Sequence, residues 1–270
     1  MKLIRTLASC SLMFSLAACG GSGGGDEPAA APAPAEAPAP ASAPAPAPAP
    51  APAPVINDSI TPPTGTYSGT VDFDAGYTEA LLSTPARHIA YAGSRETENN
   101  GTATFSDDFN YAAGSTDFLG TNYRSVSIQR GVFSRGENEY VTGNVFYELA
   151  PVRVRGVKWS DGTVTVTSPT GTLPTAGQVG DSGPFYTFTT FTDSTRSTVE
   201  SRGTTTWSIE ADTSTTVFLC LNTSEVDSEG TSTLQACAQA VPTAAGHFSG
   251  RGRFVLTDPQ GNRIVFNRGS

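Results

Sequence analysis

From Tyr67 onward the chain keeps returning to one pattern, apolar residues two apart with polar ones between them. Tyr67, Val71 and Phe73 share one face of their segment, and Val141, Val145, Tyr147 and Leu149 share one face of theirs. Val152 and Val154 alternate with Arg153 and Arg155. Phe248, Phe254 and Leu256 line a face with Gly250 and Gly252 between them, opposite Ser249, Arg251 and Arg253. A period of two predicts β-strands with one apolar and one polar face, the pattern of an antiparallel sheet with one side wet. Turn-forming residues separate the runs: Ser160-Asp161-Gly162, Asp258-Pro259-Gln260-Gly261-Asn262, and Asn99-Asn100-Gly101. No long stretch has helical periodicity, and Thr78 to Ser83 is read as one helical turn at most. The predicted fold class is therefore all-β, an antiparallel β-barrel or β-sandwich of about ten strands. Glycines on inward faces near both ends of the region favour the closed, strongly curved barrel. Residues 167–184, rich in Gly, Pro and Ser, form either a long loop or a boundary between two smaller β domains.

Upstream of Thr64 the alternation vanishes. Residues 28–54 are almost entirely Ala and Pro, often in strict alternation. Such a segment has nothing to bury and favours extended polyproline II geometry, with a reach on the order of 80 Å. It reads as a disordered tether, with no flanking Arg or aromatic residue to make it a ligand for a proline-recognition module. Before it comes a short positive region with Lys2 and Arg5, an apolar run from Leu7 to Leu16, and Leu16-Ala17-Ala18-Cys19-Gly20. The apolar run is far below the ~20 residues a membrane-spanning helix needs, so it is read as a signal segment. This gives a signal peptide at 1–18, a Gly-rich and Ala-Pro-rich tether at 19–63 and an all-β domain at 64–270.

Leu16-Ala17-Ala18-Cys19 resembles the lipobox of bacterial lipoproteins. The resemblance implies cleavage before Cys19 and transfer of a diacylglycerol to its thiol, which makes Cys19 the lipidation site and the membrane a partner through that anchor. Gly20, where a retention signal would place Asp, implies sorting to the outer membrane, with the domain periplasmic or surface-exposed. The segment Gly20 to Glu27 also resembles the Gly-rich tethers of surface-exposed lipoproteins. The formal net charge is −9, and loss of Lys2 and Arg5 with the signal makes the mature chain more acidic still. Such a surface repels polyanions, so nucleic acid is not an expected partner.

Four cysteines are present. Cys10 leaves with the signal and Cys19 is lipidated, which leaves Cys220 and Cys237 for an oxidising compartment. Cys220 lies in Val217-Phe218-Leu219-Cys220-Leu221 and Cys237 in Leu234-Gln235-Ala236-Cys237, with a polar loop between them. A hairpin centred on that loop places them opposite each other and predicts a structural disulfide. Redox-pair spacing and flanking metal ligands are missing. With two histidines and no ligand-spaced cluster, the reading is no metal and no cofactor.

Gly180-Asp181-Ser182-Gly183-Pro184 is similar to the nucleophile segment of chymotrypsin-like serine proteases. That resemblance implies Ser182 as nucleophile, His88 as base and Asp108 (or Asp107 or Asp117) as its orienter. Three features depart from the family. Only Gly183 precedes Pro184 after the serine, the residues around His88 do not match the family's histidine segment, and Thr243-Ala244-Ala245-Gly246-His247, which matches better, follows Ser182 in the chain. Arg251, Arg253, Arg263 and Arg268 concentrate positive charge on the last two strands. They are read either as an anion-binding face or as the wet side of a sheet whose arginine stems pack on their neighbours. Gly65-Thr66-Tyr67-Ser68-Gly69-Thr70 and Gly101-Thr102-Ala103-Thr104-Phe105 resemble barrel domains of transferrin-binding-type surface lipoproteins. The resulting expectation is a lipid-anchored envelope lipoprotein with a non-catalytic binding or structural module whose protein or small-molecule ligand the sequence does not identify. A serine hydrolase using Ser182 is the rival.

Overall fold

The computed structural model describes residues 63–82, 87–95, 102–134, 137–149, 151–242, 248–261 and 263–268. The signal peptide, Cys19 and nearly all of the tether lie outside the described residues, as do His247 and the Asn99-Asn100-Gly101 turn.

The predicted all-β fold is present, with twelve antiparallel strands among the described residues. They are β1 (Arg87–Arg95), β2 (Thr102–Phe118), β3 (Thr121–Ser134), β4 (Glu137–Glu148), β5 (Arg153–Trp159) and β6 (Val164–Pro169). The second half comprises β7 (Ser182–Phe191), β8 (Val199–Ala211), β9 (Val217–Val226), β10 (Thr231–Ala240), β11 (Phe248–Thr257) and β12 (Arg263–Arg268). Each strand pairs with its sequence neighbours, and β1 closes on β12, so the sheet is an up-and-down barrel rather than a sandwich. Closure removes the free edges that an open sheet would present. Strands β6 and β7 are directly paired, so residues between them form a connection within one barrel and separate no sheets.

The barrel interior is apolar. Val126, Ile128, Val145, Tyr147, Val154, Val157, Trp159, Phe188, Ile209, Leu219, Leu221, Leu234, Ala236, Phe254 and Leu256 form one buried cluster drawn from β3–β5 and β7–β11. The faces anticipated from Val145/Tyr147, Val152/Val154 and Phe254/Leu256 are the ones buried.

One predicted strand is wrong. Residues 67–72 form no strand beyond a single bridge from Val71 to Gly177, and Phe73–Leu82 is a ten-residue helix, α1. Asp72 is its N-cap: the Asp72 carboxylate accepts a hydrogen bond from the Ala75 amide at 2.8 Å, which satisfies an amide the first helical turn leaves without a partner. Asp74 accepts from the Val152 amide at 3.0 Å and ties α1 to the entry of β5. The helix drives Phe73 and Tyr77 into the interior cluster, with the Tyr77 ring edge-on to Phe248 at 6.2 Å. It therefore caps the end of the barrel where β5, β7 and β11 begin.

A smaller apolar patch lies on the other face of the sheet, where Phe118 stacks on Phe146 at 4.4 Å against Val164. Gly156, at φ +155°, makes this contact possible, since a Cβ there would lie 2.4 Å from the Phe118 ring and 2.3 Å from the Thr165 carbonyl.

Candidate functional site

Strand register sets a transverse row across β7–β11 on the face turned away from the apolar interior. Ser182 pairs with Ser208, Ser208 with Cys220, Cys220 with Cys237, and Cys237 with Arg253. Because side chains two apart share a face, Glu210, Asp212, Phe218, Asn222, Gln235, Gln239 and Arg251 join this row.

The predicted disulfide is present. Cys220 and Cys237 are bonded across directly opposed positions of β9 and β10, with Cα atoms 4.0 Å apart and both residues fully buried. A polar network surrounds it. The Arg253 guanidinium donates to Glu210 Oε2 at 2.9 Å and to Gln235 Oε1 at 2.7 Å, and lies 3.4 Å from Cys237 Sγ. Gln235 Nε2 donates to Glu210 Oε1 at 2.9 Å and Asn222 Oδ1 at 3.0 Å, while Asn222 Nδ2 donates to Ser208 Oγ at 3.0 Å. Toward the α1 end, the Asp212 carboxylate accepts from Thr216 at 2.6 Å and from Gln239, and faces Arg251 at 3.8 Å. The Phe218 ring lies under both Arg251 and Arg253, at 6.0 and 5.8 Å. Beside the network opens a cavity of about 240 Å³, lined chiefly by Val179, Ser182, Ile209, Glu210, Phe218 and Arg253, with Pro63 on its rim.

This geometry corrects the arginine reading. Arg253 is not on a wet face: it is only 5% exposed, and its charge is matched by Glu210. Arg251 faces Asp212. Arg263 pairs with Thr257, four positions along β12 from the residue opposite Arg253, or about 13 Å away. Arg268 pairs with Gly252, a register position of the other face. Arg263 thus stands apart from Arg251 and Arg253, each of which is set against an acid. An anion approaching the Arg253 Nη2 would have to compete with Glu210 and Gln235, both of which accept from it.

The residues of the hydrolase reading are also placed. His88 and Asp108 are register partners on β1 and β2. Ser182 is exposed at the start of β7. In the barrel order β7 lies six strands from β1 in either direction, the greatest separation a twelve-strand barrel allows. Among the described residues, Glu210, Cys220 and Cys237 are grouped closely enough to hold a metal. With both sulfurs joined in a disulfide, neither offers the thiolate a metal requires.

The sequence reading missed Glu210, Asn222, Gln235 and Gln239. Their signal was present: once Cys220 is placed opposite Cys237, register puts Gln235 against Asn222 and Gln239 against Phe218.

The interior holds a second polar group. Glu225 of β9 sits on the core side opposite Gly203, and its carboxylate accepts a hydrogen bond from Ser201. Burial pushes this carboxyl up to about 7, the Ser201 hydrogen bond opposes the shift, and Asp227 and then Glu200 add to it by repulsion.

No protein family, curated protein or solved structure matches this chain in the comparisons made.

Proposed function

We propose that the chain is a lipid-anchored cell-envelope lipoprotein, held at the outer membrane through Cys19 and the Gly- and Ala-Pro-rich tether, whose barrel is a non-catalytic binding or structural module. The observation that carries this reading is the direction of the barrel's faces. A barrel that spans a bilayer turns an apolar band outward. Among the described residues the larger apolar cluster points inward, while the other face carries Arg153, Arg155, Lys158, Ser208, Glu210 and Asn222 beside one small apolar patch at Phe118, Phe146 and Val164. That arrangement suits a domain in water that depends on a separate anchor, and the leader ending at Cys19 supplies one. Since Phe73 and Tyr77 fill the interior at the α1 end, recognition falls to the outside, and the cavity beside Arg253, Glu210 and Phe218 is a described place for it.

The test is fractionation of cells producing the full chain and its Cys19→Ser form, with mass spectrometry of the mature amino terminus. An acylated Cys19, and release of Cys19→Ser from the membrane fraction, is the expected result. Retention of the variant in membranes, or an unmodified terminus elsewhere, refutes the anchor.

A further inference from the structure

At the end of the barrel opposite α1, the interior changes from apolar to polar. Thr165 and Thr190 bond each other at 3.0 Å, and Thr205 and Thr223 at 2.8 Å, so these buried hydroxyls satisfy one another in pairs. Glu225 lies in the same layer, one inward position beyond Thr223, where the β7–β8 and β9–β10 hairpins turn. It is 8% exposed. Ser201 donates to its Oε1, whereas its Oε2 is buried without a hydrogen-bond partner. Gly203, opposite it, leaves the room that the Phe188 ring occupies, so one wall of the site is aromatic.

We propose that Glu225 is a proton-operated latch for this end of the barrel: the neutral carboxylic acid closes it, and the carboxylate opens it. The charged groups that act on it are both acids. Glu200 of β8 and Asp227 of the β9–β10 turn act on Glu225 as like charges. Arg202 of β8 pairs with Val226, belongs to the other face and is exposed. Ser232 of β10 and Thr190 of β7 are uncharged. A carboxylate formed here therefore gains one hydroxyl donor, faces two acids and leaves an oxygen with no donor. A buried charge so placed is relieved by admitting water, and the elements that opening would displace are the two hairpins that carry its neighbours.

The sign follows from linkage. Glu225 ionises near its ordinary value of 4.5 when hydrated and at about 7 when enclosed. The closed form is therefore favoured most below pH 4.5 and loses ground as pH rises to about 7, after which the bias is constant. Between pH 5.5 and 8.5 the opening equilibrium should rise about 30-fold if opening fully hydrates the carboxyl.

Hydrogen exchange on the intact protein tests this, with rates corrected for the intrinsic pH dependence of exchange. Segments 199–203 and 224–232 should lose protection by about that factor across this range, while β5 and β6 should not. In Glu225→Gln the pH dependence of those segments should vanish. In Ser201→Ala, which removes the one donor that favours the carboxylate, its midpoint should move to higher pH. Flat protection in the parent protein overturns the proposal. So does a pH dependence that survives in Glu225→Gln, or a midpoint in Ser201→Ala that stays or falls.

Discussion

Replacing both Cys220 and Cys237 by Ala should lower the stability of the domain by about 3 kcal/mol. The bond joins residues 17 apart in sequence. Closing a loop of that size removes roughly 10 cal/mol/K from the entropy of the unfolded chain, about 3 kcal/mol at room temperature. The native ladder between β9 and β10 holds the two positions opposite each other through ten register pairs, so folded geometry should survive the change. The loss should therefore appear in the unfolded ensemble. For a domain of ~200 residues it corresponds to a fall in Tm of about 6–12 °C. Urea unfolding followed by the fluorescence of Trp159 and Trp207 reads it, because these tryptophans lie on β5 and β8 and sample different arcs of the barrel. Coincident transitions at the two sites would support a two-state analysis. The oxidised parent should also show the smaller m-value, since its unfolded chain remains cross-linked and exposes less surface. A loss under about 1 kcal/mol, or identical m-values, would refute the loop-entropy account and place the stability of this corner in the surrounding network.

Two further substitutions probe the two faces of the sheet. Phe73→Ala should cost about 4 kcal/mol by denaturant titration, because the ring is fully buried in the barrel interior and its loss leaves a void under α1. Arg253→Met should cost about 3 kcal/mol by leaving Glu210 and Gln235 without their shared donor, and the double variant with Glu210→Leu should recover part of that loss.

Much of the barrel can be read from period-two alternation because one physical rule governs most of its interior: it excludes water, so every second residue there is apolar or, toward the end opposite α1, a paired hydroxyl. Val145 and Tyr147, Val154, and Phe254 and Leu256 obey it and are buried where the alternation puts them. The same rule misplaces residues 67–73. Tyr67, Val71 and Phe73 alternate like a strand, yet Val71 and Phe73 are buried as the approach to a helix and its first residue. The discriminating feature was Asp72, whose carboxylate caps the Ala75 amide. In a strand that side chain would merely face solvent. Alternation records burial, and a cap records the end of a hydrogen-bond pattern; only the second separates helix from strand here.

The functional face was less legible because alternation marks a residue as polar without saying whether it is wet. Arg253 occupies the non-core face, as the pattern requires, but is buried there by Glu210, Gln235 and the Phe218 ring. Its partners come from β8, β9 and β10, so the network exists only once register is fixed across four strands. The Cys220–Cys237 bond is the one feature of that register the sequence makes explicit, and the pairings Gln235 with Asn222 and Gln239 with Phe218 follow from it, whereas the β8–β9 register does not. The same construction bears on the choice between binding and hydrolysis. A serine hydrolase brings its nucleophile and base together from separate elements. This topology sets β7, with Ser182, as many strands from β1, with His88, as the closed barrel permits. What it gathers instead around Ser182 and Ser208 is a charge-balanced array of Glu210, Gln235 and Arg253 beside a cavity.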